Sequence, residues 1–392
     1  QGKGIHATAY HAGLDNVVRQ QIQDDFMQGT SQVIVATIAF GMGIDKSDIR
    51  QVIHYDLPKS VENYSQEIGR AGRDGEKSLC TLLGSQDGLN LLQNFVYGDT
   101  PEQASIAKVL QNIVANTENG QWEMTLYDLS SQSNIRQLPL KTLLVYLNMQ
   151  GIIQPLYSYY SEYRFVLQMS EADLLGHFKE ERREFITSLL KHSKLARTWY
   201  SFDFDSFLGE FPDQRQRAVA ALEYLDESGH LRLETKQMTD VYQVLAPIDI
   251  EVLSAQLYRQ FSDKEQKEIG RLAQMLALFE SKQCLSHTLA TYFGDEDAPE
   301  NCGHCNVCHG KPATLPAPPA LVPVDDLDLE AMCADLLIKA GKPLSPHLLS
   351  CFLCGITLPL LTKYRASKMA YFGKLADYPF ADVRAAFMAA RV

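Results

Sequence analysis

Two groups of residues in this 392-residue chain have the types and spacing to do chemistry. The first is the run Gln66-Glu67-Ile68-Gly69-Arg70-Ala71-Gly72-Arg73-Asp74-Gly75. It sets two guanidinium groups three residues apart, each after a glycine, on a turn whose small residues would let a polyanion approach the backbone. A guanidinium is planar, always charged and able to present two parallel N–H donors, which suits it to neutralising the charge that develops on a transferred phosphoryl group. The bland alternative is a structural pair closed on Asp74 and Glu67. The second group is Cys284 followed by Cys302, Cys305 and Cys308. Each two-residue spacer makes a tight knuckle, so three thiolates converge, and Cys284 at a helix end can complete a tetrahedron around Zn2+. CxxCxxC also opens ferredoxin-type cluster motifs, though the usual CxxxCP continuation is absent after Cys308.

Two further segments precede the arginine run: Tyr10-His11-Ala12-Gly13-Leu14, and Val35-Ala36-Thr37-Ile38-Ala39-Phe40-Gly41-Met42-Gly43-Ile44-Asp45-Lys46. In this order the three resemble motifs IV, V and VI in the second RecA-like lobe of superfamily 2 helicases. AFGMGIDK followed by QEIGRAGRDG is similar to the RecQ family of DNA helicases, as is the stretch Leu289–Asp295 leading into Cys302-Gly303-His304-Cys305-Asn306-Val307-Cys308. The resemblance implies roles. Arg73 would be the arginine finger, Arg70 its neighbour on the γ-phosphate, and Gln66 a coupler of nucleotide to DNA. Gly43 and Asp45 would lie on the nucleotide, with Asp45 at the ribose, while Thr37 and His11 would contact DNA phosphates. It further implies an ATP-dependent, 3′ to 5′ DNA helicase serving repair or recombination, acting on single-stranded and forked or duplex DNA, with Zn2+, ATP and Mg2+ as cofactors.

These groups need elements to hold them. Val33 to Thr37, Val52 to Tyr55 and Leu79 to Leu83 are short apolar runs of the kind buried in parallel sheets, preceded by a short strand candidate at Ala7 to Tyr10 and a helical pattern from Asn16 to Phe26. The expected architecture is multi-domain, α/β plus α. A partial RecA-like lobe spans 1–95, winged-helix-like domains span 96–170 and 199–249, and a helical connector covers 171–198 between them. A helical zinc-binding module follows at 250–310, a Pro-rich linker at 311–324 and a small helical domain at 325–392. In the first winged-helix-like domain, Gly151 should cap the helix Leu138 to Met149. A hairpin should then bring Tyr157, Tyr159, Tyr160 and Tyr163 to its tip. Tyr159 and Tyr160 could stack on bases there or simply pack within the domain. Arg215 and Arg217 open a helix that could meet DNA phosphates.

Composition bounds the rest. Hydrophobic residues at 45% and charged residues at 21% describe a folded globular chain, and a net charge of −12 excludes one that coats nucleic acid with its whole surface. No run of apolar residues could span a bilayer, so a cytoplasmic protein without membrane contact is expected. Cys351 and Cys354 form a lone CxxC expected to be buried. No GxxxxGK[ST] loop and no DExH motif occurs in the 392 residues, and the lobe opens without its first strand and helix. The chain by itself is therefore not expected to hydrolyse ATP. The RecQ pattern breaks where the arginine run and the cysteines stand apart, with the two winged-helix-like domains between them. A non-catalytic DNA-binding scaffold with a relic lobe is the competing class, and an RNA helicase a third.

Overall fold

A computed structural model describes residues 4–37, 40 and 44–389, and its contacts divide the chain into two units. Unit one comprises residues 1–100, 261–357 and 361–392; unit two comprises 101–260 and 358–360.

Unit one begins with the expected alternation: β1 (Ala7–Tyr10), α1 (Asn16–Met27), β2 (Val33–Ala36), β3 (Gln51–His54), α2 (Val61–Ile68), β4 (Leu79–Leu82) and α3 (Leu89–Gly98). β1 pairs with β2 and β3 with β4, both in parallel, so the loops that leave their carboxyl ends are the ligand-facing ones. Parallel strands are ordinarily covered on both faces. Here Val33, Val35, Ile53 and Leu79 are exposed.

Unit two runs α4 (Gln103–Asn116), β5 (Thr117–Glu118), β6 (Gln121–Thr125), α5 (Leu126–Ser133), α6 (Gln137–Met149), β7 (Ile153–Leu167), α7 (Glu171–Gly176), α8 (Glu180–Lys191), β8 (Ser193–Ala196), β9 (Trp199–Phe202), α9 (Phe204–Glu210), α10 (Arg215–Glu227) and β10 (Leu231–Val244). Gly151 stands just past α6 at φ +69°, the left-handed position that glycine fills without strain.

The expected pair of hairpins is corrected. Residues 153–167 and 231–244 are each one uninterrupted strand, paired antiparallel along their length within one six-stranded sheet of order β5-β6-β10-β7-β9-β8. The supposed wing 234–240 is therefore mid-strand, and so are Tyr157 to Tyr160, which face Val241, Thr239 and Met238 in register. Aromatic and β-branched residues stabilise each other across strands, which favours a continued ladder over an open loop. The register shifts between Val241 and Tyr242, opposite Pro155, whose ring nitrogen has no hydrogen to donate, and Gln237 within β10 stands at φ +56°. The expected single connector helix is instead two helices and a strand, and Glu180, the first residue of α8, stands at φ +49°. Tyr163, Phe165, Leu189, Phe202, Phe207, Leu222 and Leu231 share one core, so both strand groups are built on the same apolar cluster.

The long helix α11 (Ile250–Phe279) follows, then α12 (Leu285–Tyr292), α13 (Leu329–Ala340), α14 (Pro346–Leu353), α15 (Pro359–Lys363) and α16 (Phe380–Ala389). From Phe261 onward α11 belongs to unit one, where Leu272, Met275, Leu278 and Phe279 bury against Leu57 and Val61. The Pro-rich stretch is extended and docked within unit one. Leu315 is buried in that core, its N–H donates to the Glu280 carboxylate at 3.0 Å, and the Pro316 carbonyl accepts from Gln86 N–H at 3.0 Å. The last helices also pack on the lobe: Phe380 stacks on Tyr97 with ring centroids 4.7 Å apart, and Arg384 lies over both rings.

Both tryptophans, Trp122 and Trp199, belong to unit two, so their fluorescence reports its unfolding alone. Phe165 is 1% exposed and stacks on Tyr200 at 5.1 Å. Phe165→Ala should cost unit two about 3–5 kcal/mol, read as a lower urea midpoint in tryptophan emission; an unchanged midpoint would contradict the shared core.

Candidate nucleotide turn and metal centre

The arginine run is held at the end of α2. Ser60 caps the helix by accepting from Asn63 N–H at 3.3 Å, and Glu62 stands in the first turn, where the helix dipole favours an acid. At the other end the chain turns tightly. A Cβ at Gly69 would sit 3.0 Å from the Ser65 carbonyl. Gly72 has φ +64°, and a Cβ there would come within 2.8 Å of both the Glu76 carbonyl and the Ser78 hydroxyl. These glycines thus serve the protein's own turn, a stricter requirement than room for a ligand. The Gly72 N–H donates to the Ile49 carbonyl at 3.0 Å, tying the turn to the segment before β3.

The charge pairing around this turn differs from the bland expectation. Arg73 does not close on Asp74 or Glu67; its Nη1 donates to Asp45 Oδ1 at 2.6 Å, and its Nε donates to the Gly69 carbonyl at 3.3 Å. Asp74 is taken by Arg50, and Glu67 by the ring of His54 at 2.6 Å. The fold thereby brings Arg73 and Asp45, 28 residues apart, to one exposed place. Gln66 is exposed on α2, and Arg70 is half-buried just after it. Gly43 lies outside the described residues. His11 and Thr37 are both exposed and follow immediately on Tyr10 and Ala36, which are partners in the β1–β2 register, so they emerge side by side.

The four cysteines converge as expected. Their sulfur atoms all lie within 4.8 Å of one another, with Cys302–Cys308 and Cys305–Cys284 at 3.9 Å. A tetrahedron with metal–sulfur bonds of about 2.3 Å has edges of about 3.8 Å, so this set fits zinc. Backbone N–H groups of Cys302, Cys305 and Cys308 point at the sulfurs of Cys284, Cys302 and Cys305 at 3.3, 3.3 and 3.5 Å. Burial works against ionisation of Cys302. The Ser286 hydroxyl and the N–H groups of His304 and Cys305 outweigh it and hold that thiol at about 5. Cys284 is the N-cap of α12. His304 is turned to the Cys302 carbonyl at 2.9 Å and stays outside the group. Cys351 and Cys354 are buried in α14 and at its end and take no part.

Three residues that the sequence did not single out tie the two sites together. The Tyr292 hydroxyl, at the end of α12, donates to Glu62 Oε1 at 2.8 Å. Arg271 reaches the same carboxylate oxygen at 3.9 Å. Phe279, five residues before Cys284, meets the ring of Tyr64 edge-on at 4.9 Å, and Tyr64 is buried enough for its phenol to be pushed up to about 12. One signal was available: Tyr64 falls on the apolar stripe of a helix too short to bury it unaided.

In unit two, Tyr159 donates its hydroxyl to Glu123 at 2.5 Å, and Arg215 lies 4.5 Å over its ring and 4.1 Å over that of Phe204. Arg215 also donates to the Tyr160 carbonyl at 3.0 Å. Arg217 pairs with Glu181 at 2.8 Å over the ring of Phe185. Tyr157 and Tyr160 keep 56% and 41% of their surface exposed, which leaves ring faces open.

Unit one thus sets Arg73, on the turn between α2 and β4, beside Asp45 of the segment between β2 and β3, and also holds a four-cysteine group that fits a metal. The helicase conserved C-terminal domain matches residues 1–75, and the RecQ zinc-binding domain matches residues 247–309. The ATP-dependent DNA helicase RecQ of Haemophilus influenzae is 58% identical over 74 residues, 19% of this chain and 12% of the relative. ATP-dependent DNA helicase Q-like 5 of Arabidopsis thaliana is 29% identical over 279 residues, 68% of this chain and 30% of the relative. RecQ-like DNA helicase blm-1 of Caenorhabditis elegans is 48% identical over 120 residues, 30% of this chain and 12% of the relative. In its helicase and zinc-binding regions the chain is similar to RecQ-type DNA helicases. It matches less than a third of the length of these relatives.

Metal analysis should return about one zinc per chain, and a brown protein absorbing near 400 nm would refute the assignment. Stripping the metal should loosen α2 as well as the cysteine loop, seen as faster amide exchange over residues 61–73. Tyr292→Phe should reproduce part of that loosening with zinc retained. Exchange confined to residues 284–309 would show that the two sites are mechanically independent.

Proposed function

We propose that this chain supplies the arginine-bearing second lobe and the zinc module of a RecQ-type ATP-dependent DNA helicase. The observation that carries the reading is the Arg73–Asp45 pair at 2.6 Å, with both side chains largely open to solvent at 40% and 84% exposure. An exposed ion pair is held weakly, so a more highly charged anion can take the guanidinium from it. Asp45 holds Arg73 in place; a γ-phosphate presented by a first lobe would draw Arg73 across and leave the Asp45 carboxylate to accept from a ribose hydroxyl. Arg70, from the same turn, adds a second cation to the developing charge. Gln66, one helical turn earlier on α2, lies on the path from nucleotide to DNA.

Magnesium would accompany ATP and neutralise phosphate charge from the first-lobe side. His11 and Thr37, side by side at two strand ends, form the DNA-phosphate contact on this lobe. Cys284, Cys302, Cys305 and Cys308 would hold Zn2+, which would close the cysteine loop at the start of α12; Tyr292, at the other end of that helix, reaches Glu62. In unit two, the open rings of Tyr157 and Tyr160 offer stacking faces for unpaired bases. Arg215 and Arg217 act there chiefly by bracing the aromatic rings beneath them.

The test is DNA-stimulated ATP turnover by a polypeptide carrying both RecA-like lobes, native against Arg73→Ala. Loss of an arginine finger should lower kcat by about a thousandfold or more while DNA affinity is kept. Native protein that binds DNA without turnover would replace this reading with a DNA-binding module bearing a relic lobe.

A further inference from the structure

The chain carries 48 acidic and 36 basic residues, yet residues 336–376 hold six Lys or Arg and no Asp or Glu. At the chain's average density, about five acids would be expected in a stretch of that length. Four of the six are exposed close together: Lys363 is the last residue of α15, and Arg365, Lys368 and Lys374 lie in the run of turns that follows. No ion pair engages any of the four among the described residues.

This run is ordered by its own backbone. Arg365 N–H donates to the Thr362 carbonyl at 2.9 Å, Lys368 N–H to Arg365 at 3.0 Å, and Lys374 N–H to Tyr371 at 3.2 Å, so each cation sits on a closed turn. Buried Leu361, Ala366 and Leu375 anchor the run between the charges. Gly373 and Leu375 donate to the carbonyls of Phe352 and Leu353 at 3.0 and 2.8 Å. Gly355 and Gly373 meet back to back, where a Cβ on Gly355 would come 3.1 Å from the Gly373 Cα. Arg365 itself is held at φ +54°, ψ +39°, a left-handed conformation that glycine or asparagine would adopt at less cost. Such strain persists only where the surroundings impose it, and it clusters at ligand clamps.

We propose that the turn run 362–375 is a phosphodiester-binding site that holds single-stranded DNA; the choice of DNA rests on the function proposed above. Single-sign cations on ordered turns match a polyanion whose charges recur along a flexible backbone, and ordering them in advance removes part of the entropy lost on binding. Tyr371, 43% exposed and set among the cations, adds a ring face for a base. It is the one large apolar side chain exposed in residues 359–387, which leaves an anionic bilayer nothing to bury.

The experiment is fluorescence anisotropy of the full 392-residue chain with a labelled oligothymidylate of about 20 nucleotides, enough for several phosphate contacts, titrated across a salt series. The native chain is compared with Lys363→Gln/Lys368→Gln/Lys374→Gln, whose side chains touch no core. Single strands lose affinity with salt at about 0.7 per phosphate contact on a log–log plot, so the triple variant should flatten the slope by about 2. Arg365→Asn keeps the left-handed backbone and should flatten it by about 0.7. An unaltered slope in both variants, or no binding by the native chain in low salt, overturns the proposal. So does retention on phosphatidylserine vesicles that the triple substitution abolishes while oligonucleotide binding stays unchanged. Because the readout is binding, absence of ATP turnover in a two-lobe protein would defeat the helicase reading and leave this result standing.

Discussion

Unit one depends on the burial of α2 against α11. Helix α2 has only eight residues, too few to be stable alone, and its last turn must present the arginines at a fixed angle. Val61 at 2% exposure and the ring of Tyr64 pack into Leu272, Met275 and Phe279 of α11, while Leu57 and Leu315 close the sides. This contact orders a short helix with tertiary apolar area, the usual source of helical stability in proteins. The turn that follows is then set by Gly72, which no other residue could replace without striking Glu76 and Ser78.

The zinc module extends the same support. The residues around Cys302, Cys305 and Cys308 bury little apolar surface, so four metal–sulfur bonds must do what a core does elsewhere. With the loop closed, α12 has a fixed start at Cys284 and a fixed end at Tyr292, and the Tyr292–Glu62 hydrogen bond fastens the first turn of α2. Structural metal, short helix and arginine turn thus form one mechanical series. The docked Pro-rich segment adds to the series through Leu315, since proline fixes φ and limits what the chain loses on ordering.

Unit two solves a different problem with long strands. β7 and β10 carry polar and aromatic residues over a stretch where the chain could have opened into loops, and cross-strand pairing holds them in the sheet. The arginines of α10 are used as planar cations laid on rings: Arg215 between Tyr159 and Phe204, Arg217 over Phe185. Their charge is therefore partly engaged inside the unit, whereas the cations of residues 362–375 stand without acid partners. Sign and engagement together distinguish a bracing arginine from one available to a polyanion, and on that criterion the exposed basic surface lies at the other end of the chain.

The sequence by itself determined the likeness to RecQ helicases, the cysteine cluster and the arginine turn, because each depends on local spacing: three cysteines at intervals of three, two arginines on glycine-rich backbone, apolar runs bounded by turns. It also determined that Gly151 would follow a helix, since a left-handed residue is a local requirement. Tertiary structure decided what those groups touch. Arg73 could have closed on Asp74, its immediate neighbour in sequence, but Arg50 reaches Asp74 from the segment before β3 and leaves Arg73 to Asp45. The hairpins read into residues 153–167 and 231–244 became two full strands because each is the other's partner across the whole segment between Leu167 and Leu231, a pairing no local pattern encodes. The link from Tyr292 to Glu62 spans 230 positions. Spacing specifies the chemistry a segment can do; which partner it meets depends on contacts whose free energy exists only once distant segments are packed together.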